Sequence, residues 1–257
     1  NDTMKEKIYT IPVNEAYDKD CECPLCELEK SLEREAVSYS LGAAMMEPDY
    51  RTESNEKGYC RRHFSMMFAA PNKLPLALIL DTHLDELRKK LGSFEKNTKA
   101  LEKQSGGLFK KNSAEKTAED IAKLLETTEK QCMICKKIDH TMERYIDVLL
   151  YMWAKDEAFR AKFDRSKGVC LHHFKMLAEF CTKSLKGSEA GAFLAALIKK
   201  ESDELKRIQD DIHKFTLKFD YRNKDMEWGT AEDAPIRTIE KISGYIINES
   251  ESNHNHQ

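Results

Sequence analysis

Apolar residues return at helical spacing in three stretches of the chain. Ile138, Met142, Ile146, Leu149 and Trp153 recur every three or four positions, which puts them on one stripe of a helix. Leu76, Leu80, Leu84, Leu87 and Leu91 form a second stripe. Leu194, Ile198, Leu205, Ile208, Ile212, Phe215 and Phe219 form a third. Polar segments at about 48–57 and 155–166 lie between these stretches. They end at Gly58 and Gly168, positions predicted to turn. Ser105-Gly106-Gly107 interrupts the pattern, and Ser113, followed by Glu115 and Glu119, reads as the N-cap of a helix running toward Cys132. With only 10 glycines and 6 prolines in 257 residues, few positions break helices. The predicted fold class is all-α.

The pattern is written twice. "KGYCRRHFSM" (57–66) and "KGVCLHHFKM" (167–176) share K-G-x-C-x-x-H-F-x-M at an offset of 110. Cys23-Pro24-Leu25-Cys26 matches Cys132-Met133-Ile134-Cys135 at 109, and Leu28, Leu32, Glu33 and Arg34 match Ile138, Met142, Glu143 and Arg144 at 110. Farther on, "LDELRKKL" (84–91) echoes "SDELKRIQ" (202–209) at 118, which implies about eight residues inserted near Lys186-Gly187-Ser188. Self-similarity of this order predicts a tandem duplication. The expected divisions are a first helical repeat over 1–105 and a second over 106–219, packed on the first through their third helices. An irregular extension (220–247) and a disordered polar tail (248–257) follow.

Six of the eight cysteines belong to the repeat, and their spacing carries the chemistry. Two cysteines in C-x-x-C can aim both sulfurs at one ion, and a helix N-terminus favours the thiolate that binds it. A C-x-x-H pair supplies the other edge of a tetrahedron, completing a Cys3His set. The expected metal ligands are Cys23, Cys26, Cys60 and His63 in one site, and Cys132, Cys135, Cys170 and His173 in the other. Intervals of 33 and 34 residues separate the pairs. An outgoing helix and a returning segment of similar reach would close each site at the base of a hairpin. The predicted cofactor is zinc, two ions per chain. Iron–sulfur clusters are an alternative, although they more commonly use four cysteines, and so is reversible dithiol chemistry. Small buried hydrophobes are the plainest reading of the same thiols.

Outside the repeat the signals thin out. Cys21 could compete with Cys23, or resolve a disulfide if metal leaves. Cys181 reads as a buried helix position. Only His173, not its neighbour His172, matches His63. His83, His140 and His213 read as surface or core residues, Met45-Met46 and Met66-Met67 as core fillers, and the carboxylates of 27–35 as a solvated face. Asp220, Tyr221, Arg222, Trp228 and Arg237 could line a cleft, or Trp228 could pack a C-terminal flap onto the helices.

Charge narrows the function classes. Formal net charge is −3 from 42 basic and 45 acidic residues, and neither half is basic, so no nucleic-acid partner is expected. No apolar run reaches the ~18–20 residues of a membrane span. The first twenty residues lack the apolar stretch of a secretory signal, so a cytoplasmic location is expected, where cysteines serve as ligands or redox groups more than as structural disulfides. No phosphate loop, nucleophile elbow or H-E-x-x-H helix is present, and a four-ligand site leaves no position open for substrate. No catalytic residue is assigned. The expected role is binding or scaffolding of a protein or small-molecule partner.

"CECPLC", "KGYCRRHF", "CMIC", "KGVCLHHF" and "KFDYRNKDMEW" together resemble a bacterial family classified only as a domain of unknown function. The resemblance runs from "EKIYTIPVNEAYDKDCECPLC" to "RTIEKISG". Some relatives carry a transporter substrate-binding label, but this sequence has neither the export signal nor the α/β pattern that label suggests. The resemblance implies metal binding and duplication, and no activity.

Overall fold

The computed structural model describes residues 2–96, 98, 101, 111–223 and 225–246. Eleven α-helices and no strand occur among them, in keeping with the predicted all-α class. They are α1 (Asp2–Tyr17), α2 (Pro24–Leu41), α3 (Pro48–Lys57), α4 (Arg61–Ala69), α5 (Leu74–Glu95), α6 (Lys111–Lys130), α7 (Met133–Lys155), α8 (Glu157–Arg165), α9 (Leu171–Ser184), α10 (Ser188–Leu217) and α11 (Ala234–Ser243). No helix among the described residues is long and apolar enough to cross a membrane. The Ser105-Gly106-Gly107 break and the tail at 248–257 lie outside the described residues. Ser113 falls inside α6, not at its edge.

The chain forms two compact units. One comprises residues 1–32 and 140–247, the other residues 33–139. Both divisions fall inside a helix, α2 and α7.

In the unit of 1–32 and 140–247, the predicted stripe of α7 is buried throughout, from Met142 to Trp153. α8 is a helix where a polar return segment was expected. Asp156 caps it by accepting hydrogen bonds from the Ala158 and Phe159 amides. Phe159 and Phe163, one turn apart, bury fully against Tyr17 of α1 and Phe193 of α10. The buried face of α10 is Ala190, Phe193, Leu197, Glu201 and Ile208. That corrects the expected stripe: Ile198 and Phe219 are exposed. Ile208 of that stripe is buried, but upstream Phe193, Leu197 and Glu201 take the buried positions, where Glu201 meets the Gly168 turn.

In the unit of 33–139, α5 is turned in the same way. Leu76, Ile79 and His83 are buried, whereas Leu80, Leu84 and Leu91 are exposed instead of forming the expected core stripe. α5 packs on α3: Arg51 donates to Thr82 Oγ1 at 2.8 Å, and His83 Nδ1 donates to the Asn55 carbonyl at 2.7 Å. Met67 is buried, but Met46 is exposed, so the methionine pairs are only partly core.

Both predicted turns are left-handed. Gly58 has φ +67° and Gly168 φ +73°, a region costly for residues bearing a Cβ. A Cβ on Gly58 would come within 2.6 Å of the His83 ring, and one on Gly168 within 2.9 Å of the Glu201 carboxylate. His83 and Glu201 are related by the 118-residue offset of the sequence echo. Each glycine turn therefore aims a C-x-x-H helix with a buried polar residue pressed against it.

Candidate metal centres

Each C-x-x-C and each C-x-x-H sits at a helix N-terminus. Cys23 and Cys132 directly precede α2 and α7, and Cys60 and Cys170 are the N-caps of α4 and α9, with nearly identical backbone angles (−73°, 167° and −72°, 164°). The residue three further on, whether Cys26, Cys135, His63 or His173, lies in the first turn and points back to the same spot. The positive dipole end of a helix accompanies each pair, an environment that favours thiolate. The Cys26 amide donates to Cys23 Sγ at 3.4 Å, and the Cys135 amide to Cys132 Sγ at 3.5 Å.

All eight predicted ligands gather into two quartets, but with exchanged partners. Cys23 and Cys26 meet Cys170 and His173; Cys60 and His63 meet Cys132 and Cys135. The expected quartets within each repeat are thus incorrect. Helix lengths explain the exchange. α2 carries the chain ~27 Å from Cys23 and α3 can return ~15 Å; α7 travels ~35 Å and α8 returns ~13 Å, at ~1.5 Å per residue. Neither short return helix brings C-x-x-H back to its own C-x-x-C.

In the first quartet, His173 Nδ1 lies 3.4, 3.5 and 3.2 Å from the sulfurs of Cys23, Cys26 and Cys170, and Cys26 and Cys170 are 3.6 Å apart. In the second, His63 Nδ1 lies 3.2, 3.3 and 3.5 Å from Cys60, Cys132 and Cys135, and Cys60 and Cys135 are 3.8 Å apart. Within each quartet every ligand atom is within 4.8 Å of the others. No sulfur pair is at the ~2.0 Å of a disulfide, and all eight cysteines are free. The arrangement is suited to holding one metal ion per quartet.

A family model, Family of unknown function (DUF6062), matches residues 4–249. The chain belongs to that family. Searches of curated proteins and of solved structures give no match.

The family's description leaves the electrostatics to be read from the site. Burial alone would lower the His63 pKa, but the Cys132 sulfur on Nδ1 and Glu33 on Nε2 outweigh it and hold it up at about 10. Hydrogen bonding from Cys135 draws Cys132 down to about 3, with His63 assisting, while the same contact pushes Cys135 up. Cys170 is likewise lowered, by Cys23 and Cys26. Burial raises Cys23. Without a cation, Cys132 and Cys170 carry thiolate character, while Cys135, Cys23 and Cys26 hold their protons.

The sequence reading missed the carboxylates behind the histidines. Glu33, assigned to a solvated face, is buried; its Oε1 accepts from His63 Nε2 at 3.0 Å and its Oε2 from Arg62 at 2.6 Å. Glu29 stands 3.6 Å from His173 Nε2, which has no hydrogen-bond partner. The available signal was the i, i+3 and i, i+7 spacing of Glu29 and Glu33 from Cys26 along one helix. His172 and His140 are exposed, and Cys181 is buried in α9 away from both quartets. Trp228 packs against Phe215 and Phe219, and Arg237 pairs with Asp211 and Asp233. The extension follows the flap arrangement.

Proposed function

We propose that this chain is a cytoplasmic zinc protein, with two structural Cys3His sites that stabilise a duplicated helical scaffold for partner binding. The observation that carries the zinc reading is the size of the quartets. A tetrahedral zinc with bonds of about 2.3 Å to sulfur and 2.0–2.1 Å to nitrogen has S···S edges of about 3.8 Å and S···N edges of about 3.6 Å. The Cys26–Cys170 and Cys60–Cys135 sulfur edges are 3.6 and 3.8 Å, and the sulfur–nitrogen edges 3.2–3.5 Å. A polynuclear iron–sulfur cluster places its thiolates on different irons and spreads them farther apart. The carboxylate on His63 Nε2 adds the outer support usual for a metal-bound histidine.

Four protein ligands fill a tetrahedron, so the ions would act on structure and not as Lewis acids. The duplication supports the reading as well, since matching motifs supply matching halves of both sites. Elemental analysis of protein purified without added metal tests it. Two zinc per chain and a colourless solution are expected, with chelation lowering helicity. Brown protein with iron, or less than one metal per chain, would overturn it.

A further inference from the structure

Both quartets have the same ligands, but the chain treats them differently. Cys23, Cys26, Cys170 and His173 are all buried, the last two completely. Cys60 and Cys135 of the other quartet are half-buried. The difference comes from the C-terminal extension. α11 ends at Gly244, whose φ of +88° turns the backbone across the first quartet; a Cβ there would stand 3.7 Å from Cys26 Sγ and 4.0 Å from Cys170 Sγ. The next residue, Tyr245, donates its backbone N–H to the Cys26 sulfur.

This strap is latched by charge. Arg237 pairs with Asp211 at 2.9 Å and with Glu22, the neighbour of Cys23, at 3.5 Å. Lys241, fully buried, pairs with Glu201 at 3.2 Å and donates to the Lys167 carbonyl at 2.5 Å. Glu201 in turn accepts from the Val169 amide at 2.7 Å, next to Cys170. The latch residues thus flank both ligand pairs of the site they cover.

We propose that the two centres have separate tasks: the strap 234–245 locks metal into the Cys23/Cys26/Cys170/His173 site, and the Cys60/His63/Cys132/Cys135 site exchanges metal with its surroundings. The inference rests on both quartets holding metal. Its physical basis is access. Metal leaves a closed tetrahedron when a competing ligand reaches the ion or a proton reaches a sulfur. Half-buried sulfurs admit both, whereas a backbone turn lying on Cys26 and Cys170 excludes them.

The test mixes zinc-loaded full-length protein with an excess of a chromophoric zinc chelator and follows release in time. One equivalent should leave quickly and one slowly. Cys135→Ser should abolish the fast equivalent and His173→Ala the slow one. Tyr245→Pro removes the N–H and should speed the slow phase by roughly tenfold, the lower end of what outer-shell losses cost in metal affinity, with the fast phase unchanged. For wild-type protein, alkylation read by mass spectrometry should label Cys60 and Cys135 before Cys23, Cys26 and Cys170. Release of two equivalents in a single phase would overturn the proposal while leaving the two-zinc reading intact, and so would the reverse labelling order. Binding of less than one equivalent would sink both.

Discussion

Cys23 Sγ and His173 Nδ1 lie 3.4 Å apart, although 150 residues separate them in sequence. One candidate metal centre is therefore assembled from the first C-x-x-C and the last C-x-x-H of the chain, and the other from the two motifs between them. Each quartet closes a long loop, so a metal ion held there would constrain tertiary structure instead of a local hairpin.

Ligand pairs should fail together across the halves. Cys23→Ser and His173→Ala should each lose one zinc, and the double variant should still hold the other. Cys23→Ser combined with His63→Ala should lose both. Stoichiometry by mass spectrometry under non-denaturing conditions reads this directly. If Cys23→Ser with His63→Ala retained one metal, the quartets would lie within the repeats. Cys181→Ala and His172→Ala should keep two ions.

Glu33 should tune the second centre. Glu33→Gln removes the charge that His63 Nε2 and Arg62 both face. Zinc affinity of that site alone should fall by about tenfold, within the range for outer-shell partners. Glu29→Gln should act more weakly on the first centre, because Glu29 stands 3.6 Å from His173 Nε2. Chelator competition with one site disabled in each background separates the two effects.

Zinc binding should release protons, and acid should release zinc. In the metal-free site His63, held up at about 10, carries a proton at pH 7; Cys135, pushed up by its contact with Cys132, carries another, while Cys132, at about 3, carries none. Metal displaces one proton each from His63 and Cys135, so the affinity falls as pH falls. Without metal the shifts also set where these two groups support folding. The raised His63 contributes fully below its ordinary value of about 6.5 and loses that contribution as pH rises through about 10. The depressed Cys132 contributes fully above its ordinary value of about 8.5 and loses it as pH falls through about 3. Zinc titration in weak buffer with a pH indicator should show the protons, and a pH-independent affinity between pH 5 and 8 would contradict it.

The buried Lys241–Glu201 pair should behave as a unit. Lys241→Met leaves the Glu201 carboxylate uncompensated in an interior that already raises its pKa by burial. A loss of about 3–5 kcal/mol in denaturant unfolding is expected for removing one partner of such a pair. Lys241→Met with Glu201→Gln should recover much of it, since glutamine can still accept from the Val169 amide. Additive losses would show that the two groups act independently.

Local chemistry made much of this protein legible from its residues. The all-α class follows from helical periodicity and scarce breakers. The pairing of the eight clustered Cys and His positions follows from C-x-x-C and C-x-x-H spacing, because residues three apart at a helix start converge whatever the rest of the chain does. The left-handed turns at Gly58 and Gly168 are equally local. Which C-x-x-C meets which C-x-x-H was decided only in three dimensions, by return helices too short to retrace α2 and α7. The buried faces of α5 and α10 were decided there too. His83 and Glu201 had to meet the glycine turns, which left Leu80 and Ile198 outside. The same holds for Glu33, whose charge looks like solvated surface until His63, thirty residues later, is folded against it. The periodicity of one segment records that a face is apolar, and only a partner from elsewhere in the chain determines which face is buried.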